Sequence, residues 1–223
     1  MHQQISKKII TYLFILLVLG TFSNKKILQL NLRENYNFNI VNLSEFNEDN
    51  IIQDLYKLEN QNLFLLKKEK VLKVIDTHKI IEKFFVFKNY PSNLNIKIER
   101  TEFLAVTKKN GSNFYIGSNG NFIKIKNNKS NLPFIFGDIE ISEFLKLKRV
   151  IDDSNFNFSD IKNLYYFKSK RWDIETKNGL LIQLPRENLV KSFKLLTNIF
   201  RKKDLKNINN IDLRQNNQVI LNG

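Results

Sequence analysis

The chain has 223 residues, no cysteine and a formal net charge of +14. This length allows one large or two small domains with real cores, and 42% hydrophobic content argues against disorder throughout. The missing cysteines exclude thiolate metal sites, disulfide staples and cysteine nucleophiles, while leaving the compartment open. The charge admits nucleic acid, anionic lipid or an acidic partner. Lysines are scattered over every segment, however, so it reads as solvated and driven by composition.

At the N-terminus, "ISKKIITYLFILLVLGTFSNKK" sets a mainly apolar run, Ile9 to Phe22, between two lysine pairs. It is shorter than the roughly 20 residues of a usual spanning helix, but flanking residues and bilayer thinning can make up the difference. An uncleaved membrane anchor is the favoured reading. A cleaved signal peptide stays open because Gly20, Thr21 and Ser23 are small, although no A-x-A site appears. Lys7 and Lys8 place the N-terminus inside, and Lys25 and Lys26 weaken that asymmetry. On either reading the body leaves the cytoplasm.

After an amide-rich connector, Phe38 to Phe46 alternates like a first strand, and Ser44 offers a cap before "NEDNIIQDLYKL". Ile51, Ile52, Leu55 and Leu58 share one helical face, with Glu48 and Asp49 in the first turn where the dipole favours them. "NLFLL" is a short apolar segment, and Lys67 to His78 reads as a second helix. From Ile80, "IIEKFFVFKNYPSNLNIKIERTEFLAV" splits at Tyr90-Pro91-Ser92 into two strands of a hairpin. The order is β-α-α-β-β. With Pro91, Leu94, Ile96, Ile98, Glu99 and Arg100 in place, "FFVFKNYPSNLNIKIER" resembles the hairpin of a POTRA domain.

In the second half, "NFYIGSNGNFI" gives two strand pieces around a Ser118-Asn119-Gly120 turn. "LPFIFG", containing Pro133 and Gly137, precedes a helical stretch around Ile141 to Ile151. "YYFKSKRWDIETKNGLLIQLP" reads as another hairpin turning at Asn178-Gly179. Leu189, Phe193, Leu196 and Phe200 then form a stripe at helical spacing, and "NIDLRQNNQVIL" supplies a last hairpin. The closing Val-Ile-Leu run lacks a charged tail, so this strand is expected to pair within its own sheet or to be used by a partner.

Taken in that order, the apolar segment, the POTRA-like hairpin, "LPFIFG", "RWDIETKNGLLIQLP" and "IDLRQNNQVIL" resemble the FtsQ (DivIB) family of cell division proteins over nearly the whole chain. The resemblance implies an α+β fold with an N-terminal transmembrane helix, a POTRA domain and an antiparallel β domain with accompanying helices. Its expected divisions are a short cytoplasmic tail (1–8), a signal-anchor helix (9–23), a linker (24–36), the POTRA domain (37–106) and the β domain (107–223). Departures from the family pattern are Glu102-Phe103-Leu104 where it has Pro-x-Ala after Glu-Arg, Gly117 where an Asp is usual, and a short tail.

The resemblance also implies a job. The protein would be a scaffold at the division septum, anchored in the inner membrane with its body in the periplasm. Its C-terminal edge would receive a strand of FtsB, which acts with FtsL, and its POTRA domain would face proteins such as FtsK. Expected partner-binding residues are Arg171, Arg214, Gln215, Gln218, Val219 and Leu221, with Arg214 suited to a bidentate carboxylate contact. Local salt bridges with Asp212 or Asp173 are the alternative use of the two arginines. Pro91, Glu99, Arg100, Pro133, Gly137, Trp172, Gly179 and Asp212 are expected to serve structure, with Trp172 in the core. Gln215 stands where relatives place an aromatic, so late-strand aromatic anchoring is missing and affinity is expected either to be weaker or to be carried by backbone pairing and charge.

Catalysis finds no support in the motifs. His2 and His78 are isolated, and no GxSxG elbow, HExxH helix or P-loop exists. No enzyme, metal, cofactor or small-molecule substrate is expected. "YYFKSKRW" interleaves aromatics and lysines as a nucleic-acid surface would, but a half-buried strand needs the same alternation, so no nucleic acid is expected. The rival from another class is an exported POTRA-type chaperone that accepts many extended peptides.

Overall fold

The computed structural model describes residues 7–22, 38–41, 48–58, 66–89, 93–125, 131–202, 208–215 and 218–222. The first helix, α1, spans Lys7–Phe22. Ile10, Leu13, Leu16 and Leu17 are among the large apolar side chains it exposes. Among the described residues, no helix is long and apolar enough to cross a membrane. Contacts divide the chain into two units, residues 1–77 with 84–98, and residues 78–83 with 99–223.

In the smaller unit, β1 (Phe38–Val41), β3 (Asn93–Arg100) and β2 (Ile81–Asn89) form a sheet in the order β1-β3-β2. Two helices, α2 (Glu48–Tyr56) and α3 (Lys68–Asp76), supply Ile51, Leu55, Val71 and Ile75 to its core, and Leu94, Ile96 and Ile98 of β3 alternate inward to meet them. Helical and strand periods thus bury complementary faces. The expected Ser44 cap, the Pro91 turn, the linker and all of the "NLFLL" segment but its last leucine lie outside the described residues.

The larger unit is built on a nine-stranded sheet. Its strands are β4 (Phe103–Lys109), β5 (Ser112–Gly117), β6 (Phe122–Lys124), β7 (Phe134–Phe136), β8 (Ile161–Tyr166), β9 (Trp172–Thr176), β10 (Leu181–Gln183), β11 (Asn210–Asp212) and β12 (Ile220–Asn222), in the order β12-β11-β10-β9-β8-β7-β4-β5-β6. The domain boundary expected at residue 106 falls inside β4. Helix α4 (Ile141–Asp152) links β7 to β8, and helix α5 (Leu189–Lys202) links β10 to β11. Both linked pairs run parallel, as does β4 with β7. A helical crossover carries the chain back to its starting end, so its two strands run the same way. The sheet is therefore mixed, correcting the expected antiparallel domain.

Phe144, Leu147 and Ile151 of α4 and Phe193 and Leu196 of α5 share one core with Ile135, Leu164, Trp172, Ile174, Ile182 and Ile211. Tyr166 stacks obliquely on Trp172 with ring centroids 4.6 Å apart. The other face carries an aromatic row, where Phe136 lies 5.1 Å from the Tyr165 ring and 4.6 Å from Phe134. The expected single hairpin from Tyr165 to Pro185 is instead a three-strand meander, because the chain already reverses between β8 and β9, where Lys170 takes a φ of +61°.

Candidate functional site

Three short strands assemble the site. Gln183 of β10 stands opposite Asp173 of β9 on one side and opposite Asp212 of β11 on the other. Directly opposed residues share a face, so the two aspartates stand on the face away from the helices. Outside β11, antiparallel β12 places Ile220 opposite Asp212 and Leu221 opposite Ile211. β12 closes the sheet order and has no neighbour on its far side among the described residues.

Asp212 is 7% exposed and organises Arg214. Arg214 donates from Nε to Oδ1 at 2.8 Å and from Nη2 to Oδ2 at 2.6 Å, and its backbone N–H reaches Oδ1 at 2.9 Å. These bonds hold the Asp212 carboxyl below its ordinary range and raise the Arg214 guanidinium. The fork leaves the Arg214 side chain 42% exposed, so a second anion can still approach it.

Asp173 is in a different state. It is 5% exposed, and burial pushes its carboxyl up against the opposing pull of Arg171. Arg171 Nε stands 3.3 Å from Asp173 Oδ1 as an ion pair without hydrogen-bond alignment, and Nη2 donates to Oδ2 at 3.5 Å. The guanidinium also lies 4.5 Å from the Phe167 ring centroid, within reach of a cation–π attraction. Both arginines therefore pair with the aspartates named as their local alternatives.

Next along the same face, Glu175 accepts from Asn163 Nδ2 at 2.9 Å, Tyr165 Oη at 2.6 Å and Lys162 Nζ at 3.0 Å. Those three donors lower its pKa to about 2, from 4.5. A folded pKa below the unfolded one adds stability that is fully present above the unfolded pKa and is lost as the pH falls. Acid unfolding monitored between pH 5 and about 2 should thus steepen through this group. Glu175→Gln should flatten that part of the profile, and an unchanged profile would remove Glu175 as its source.

The remaining sequence-predicted positions scatter. Gln215 and Gln218 are exposed, whereas Val219 and Leu221 are half-buried against the main core. Trp172 is fully buried. The Pro133 carbonyl accepts from Val106 N at 2.9 Å, Arg100 lies 4.3 Å over the Phe103 ring, and Glu99 sits beside it at the end of β3. Gly179, at a φ of +83°, turns β9 into β10, while Pro91 lies outside the described residues. Sequence reasoning missed Glu175 and its donors. The signal was available in alternation, since Asn163 and Tyr165 on β8 and Asp173 and Glu175 on β9 occupy every second position.

Among the described residues, no group of three or more His, Asp or Glu is placed to hold a metal ion. Among the described residues, this edge offers unpaired backbone beside a held guanidinium.

Comparison with known proteins gives three findings. The sequence model described as cell division protein FtsQ/DivIB, C-terminal, matches residues 105–214. The chain is 24% identical over 183 residues to cell division protein FtsQ of Rickettsia bellii (strain RML369-C), and the match spans 77% of this chain and 65% of that relative. Among solved structures, it aligns with the major extracytoplasmic domain of the trans isomer of cell division protein DivIB from Geobacillus stearothermophilus at a TM-score of 0.34 and 10% identity. That alignment covers 48% of this chain and 99% of the other.

Proposed function

Because this chain belongs to the FtsQ/DivIB family of cell division proteins, we propose that it is a non-catalytic scaffold that recruits membrane division proteins to the septum. The open β12 edge beside the Arg214–Asp212 fork carries the reading. An incoming strand would pair with the outer backbone of β12, gaining main-chain hydrogen bonds for affinity. A carboxylate on that strand would meet the exposed side of Arg214, adding register and specificity. FtsB is the proposed strand donor, acting with FtsL.

The remaining parts fit this reading. α1 exposes large apolar side chains such as Leu13, Phe14 and Leu16, and a helix apolar all round suits a lipid or a buried setting. Its 16 residues reach about 24 Å, so flanking residues would complete an inner-membrane anchor and leave the body in the periplasm. The smaller unit, two helices on a three-stranded sheet, is proposed to be the POTRA domain that faces further division proteins, FtsK among them.

The test is binding of the full chain in detergent to the exported parts of FtsB and FtsL from its own organism, beside a variant lacking Gln218–Gly223. Saturable binding that disappears with the deletion, in a variant whose unfolding transition persists, is the expected result. Equal binding by the deletion variant would remove β12 as the docking strand. Broad binding of unrelated extended peptides would favour an exported chaperone instead.

A further inference from the structure

Away from the sheet edge, an open pocket of about 500 Å³ lies between α4 and the start of α5. Val150 of α4 and Leu189 and Val190 of α5 give it apolar walls. Val190 is 56% exposed on a helix whose Phe193 and Leu196 are buried in the core, so core packing does not account for it. Lys146, Arg186, Lys191 and Lys194 also line the pocket, against one carboxylate, Glu187. Lys146 precedes Val150 by one helical turn, and Lys194 follows Val190 by one. Each helix thus presents an apolar residue and a cation as neighbours on its surface. Lys146, Arg186 and Lys194 have no ion-pair partner among the described residues.

We propose that this pocket docks an acidic amphipathic helix of a partner protein, at a surface separate from the β12 edge. One apolar side chain of the partner enters between Val150 and Val190, and carboxylates a turn to either side meet the lysines. Charge complementarity selects this occupant. A second copy of the chain brings a net charge of +14 to the same cations, and like charges repel. Among the described residues, no aromatic side chain lines the pocket to stack a base. A lipid surface would lie across the rim and leave the concavity unfilled, whereas a helix carrying an apolar anchor fills it. The inference does not depend on strand addition at β12. If both hold, the larger unit grips two partners at once.

The probe is a fluorescein-labelled synthetic amphipathic helix with a leucine stripe flanked by glutamates, titrated with the full chain in detergent at two salt concentrations. Controls are a peptide of the same composition with the stripe broken, and phosphatidylglycerol vesicles. Saturable binding of the patterned helix is expected, weakened about tenfold or more by Lys146→Glu with Lys194→Glu. Val190→Asp, which sits on an exposed position and leaves the core intact, should weaken it as well. Deletion of Gln218–Gly223 should leave it unchanged, which separates this surface from the edge. Absence of binding, equal binding of the broken stripe, insensitivity to the three substitutions, or vesicle binding that is lost with them would each overturn the proposal.

Discussion

Replacing Gly137 with alanine should destabilise the larger unit by about 3 kcal/mol or more, by adding a backbone clash to a strained dihedral. Gly137 follows β7 at a φ of +106°, and a Cβ there would stand 2.2 Å from the carbonyl oxygen of Tyr166. That oxygen belongs to backbone at the end of β8, the parallel partner of β7, so no side-chain rotation relieves the contact. Relief requires β7 and β8 to separate where Tyr166 supports Trp172. Gly179→Ala is the control. Gly179 has a φ of +83° but, among the described residues, nothing within 4 Å of its would-be Cβ, so only the dihedral cost, about 1–2 kcal/mol, applies. Urea denaturation of both variants separates the two effects. Equal losses would show that the close approach to Tyr166 contributes nothing.

The sequence made the helices and the edge hairpin legible because their signals are local. Leu189, Phe193 and Leu196 keep helical spacing and are buried, although Phe200 at the end of that stripe is 37% exposed. "IDLRQNNQVIL" contains its own turn, and β11 and β12 do pair antiparallel. What escaped was information held between segments. β4 reads as a continuation of the preceding hairpin, but it turns at Asn110-Gly111 to pair with β5 and takes β7, far along the chain, as its other partner. The turn "FKSKR" contains neither glycine nor proline. Lys170 adopts the left-handed conformation there at a steric cost, so turn chemistry gave no warning that one hairpin was two. The parallel pairs were legible in principle, since a strand, a helix and a strand in succession imply a crossover. The candidate site divides in the same way. Asp212 and Arg214 are two residues apart and were readable as a pair, whereas the row from Asp173 through Gln183 to Asp212 exists only once three strands are in register.

Trp172→Ala should cost about 3–5 kcal/mol by leaving a cavity in the core and, through unfolding, should abolish whatever the sheet edge binds. Trp172 is 1% exposed and packs against Tyr166 and Phe144. Among the described residues its buried Nε1 has no hydrogen-bond partner, an arrangement that carries a desolvation cost of about 1–3 kcal/mol. Trp172→Phe removes that unpaired donor while giving up some volume, so the two changes oppose each other and the net loss should stay below about 1.5 kcal/mol. Since the Trp172 side chain faces the helices, opposite the face that carries Asp173 and Asp212, the phenylalanine variant should also keep the strand binding proposed for the edge. Arg214→Glu has the complementary profile, with edge binding weakened and the Trp172 core untouched. Denaturation and binding measured on the same preparations test this directly. Loss of binding by a well-folded Trp172→Phe variant would make Trp172 part of the recognition surface, and its burial would then have to be relieved when a partner docks.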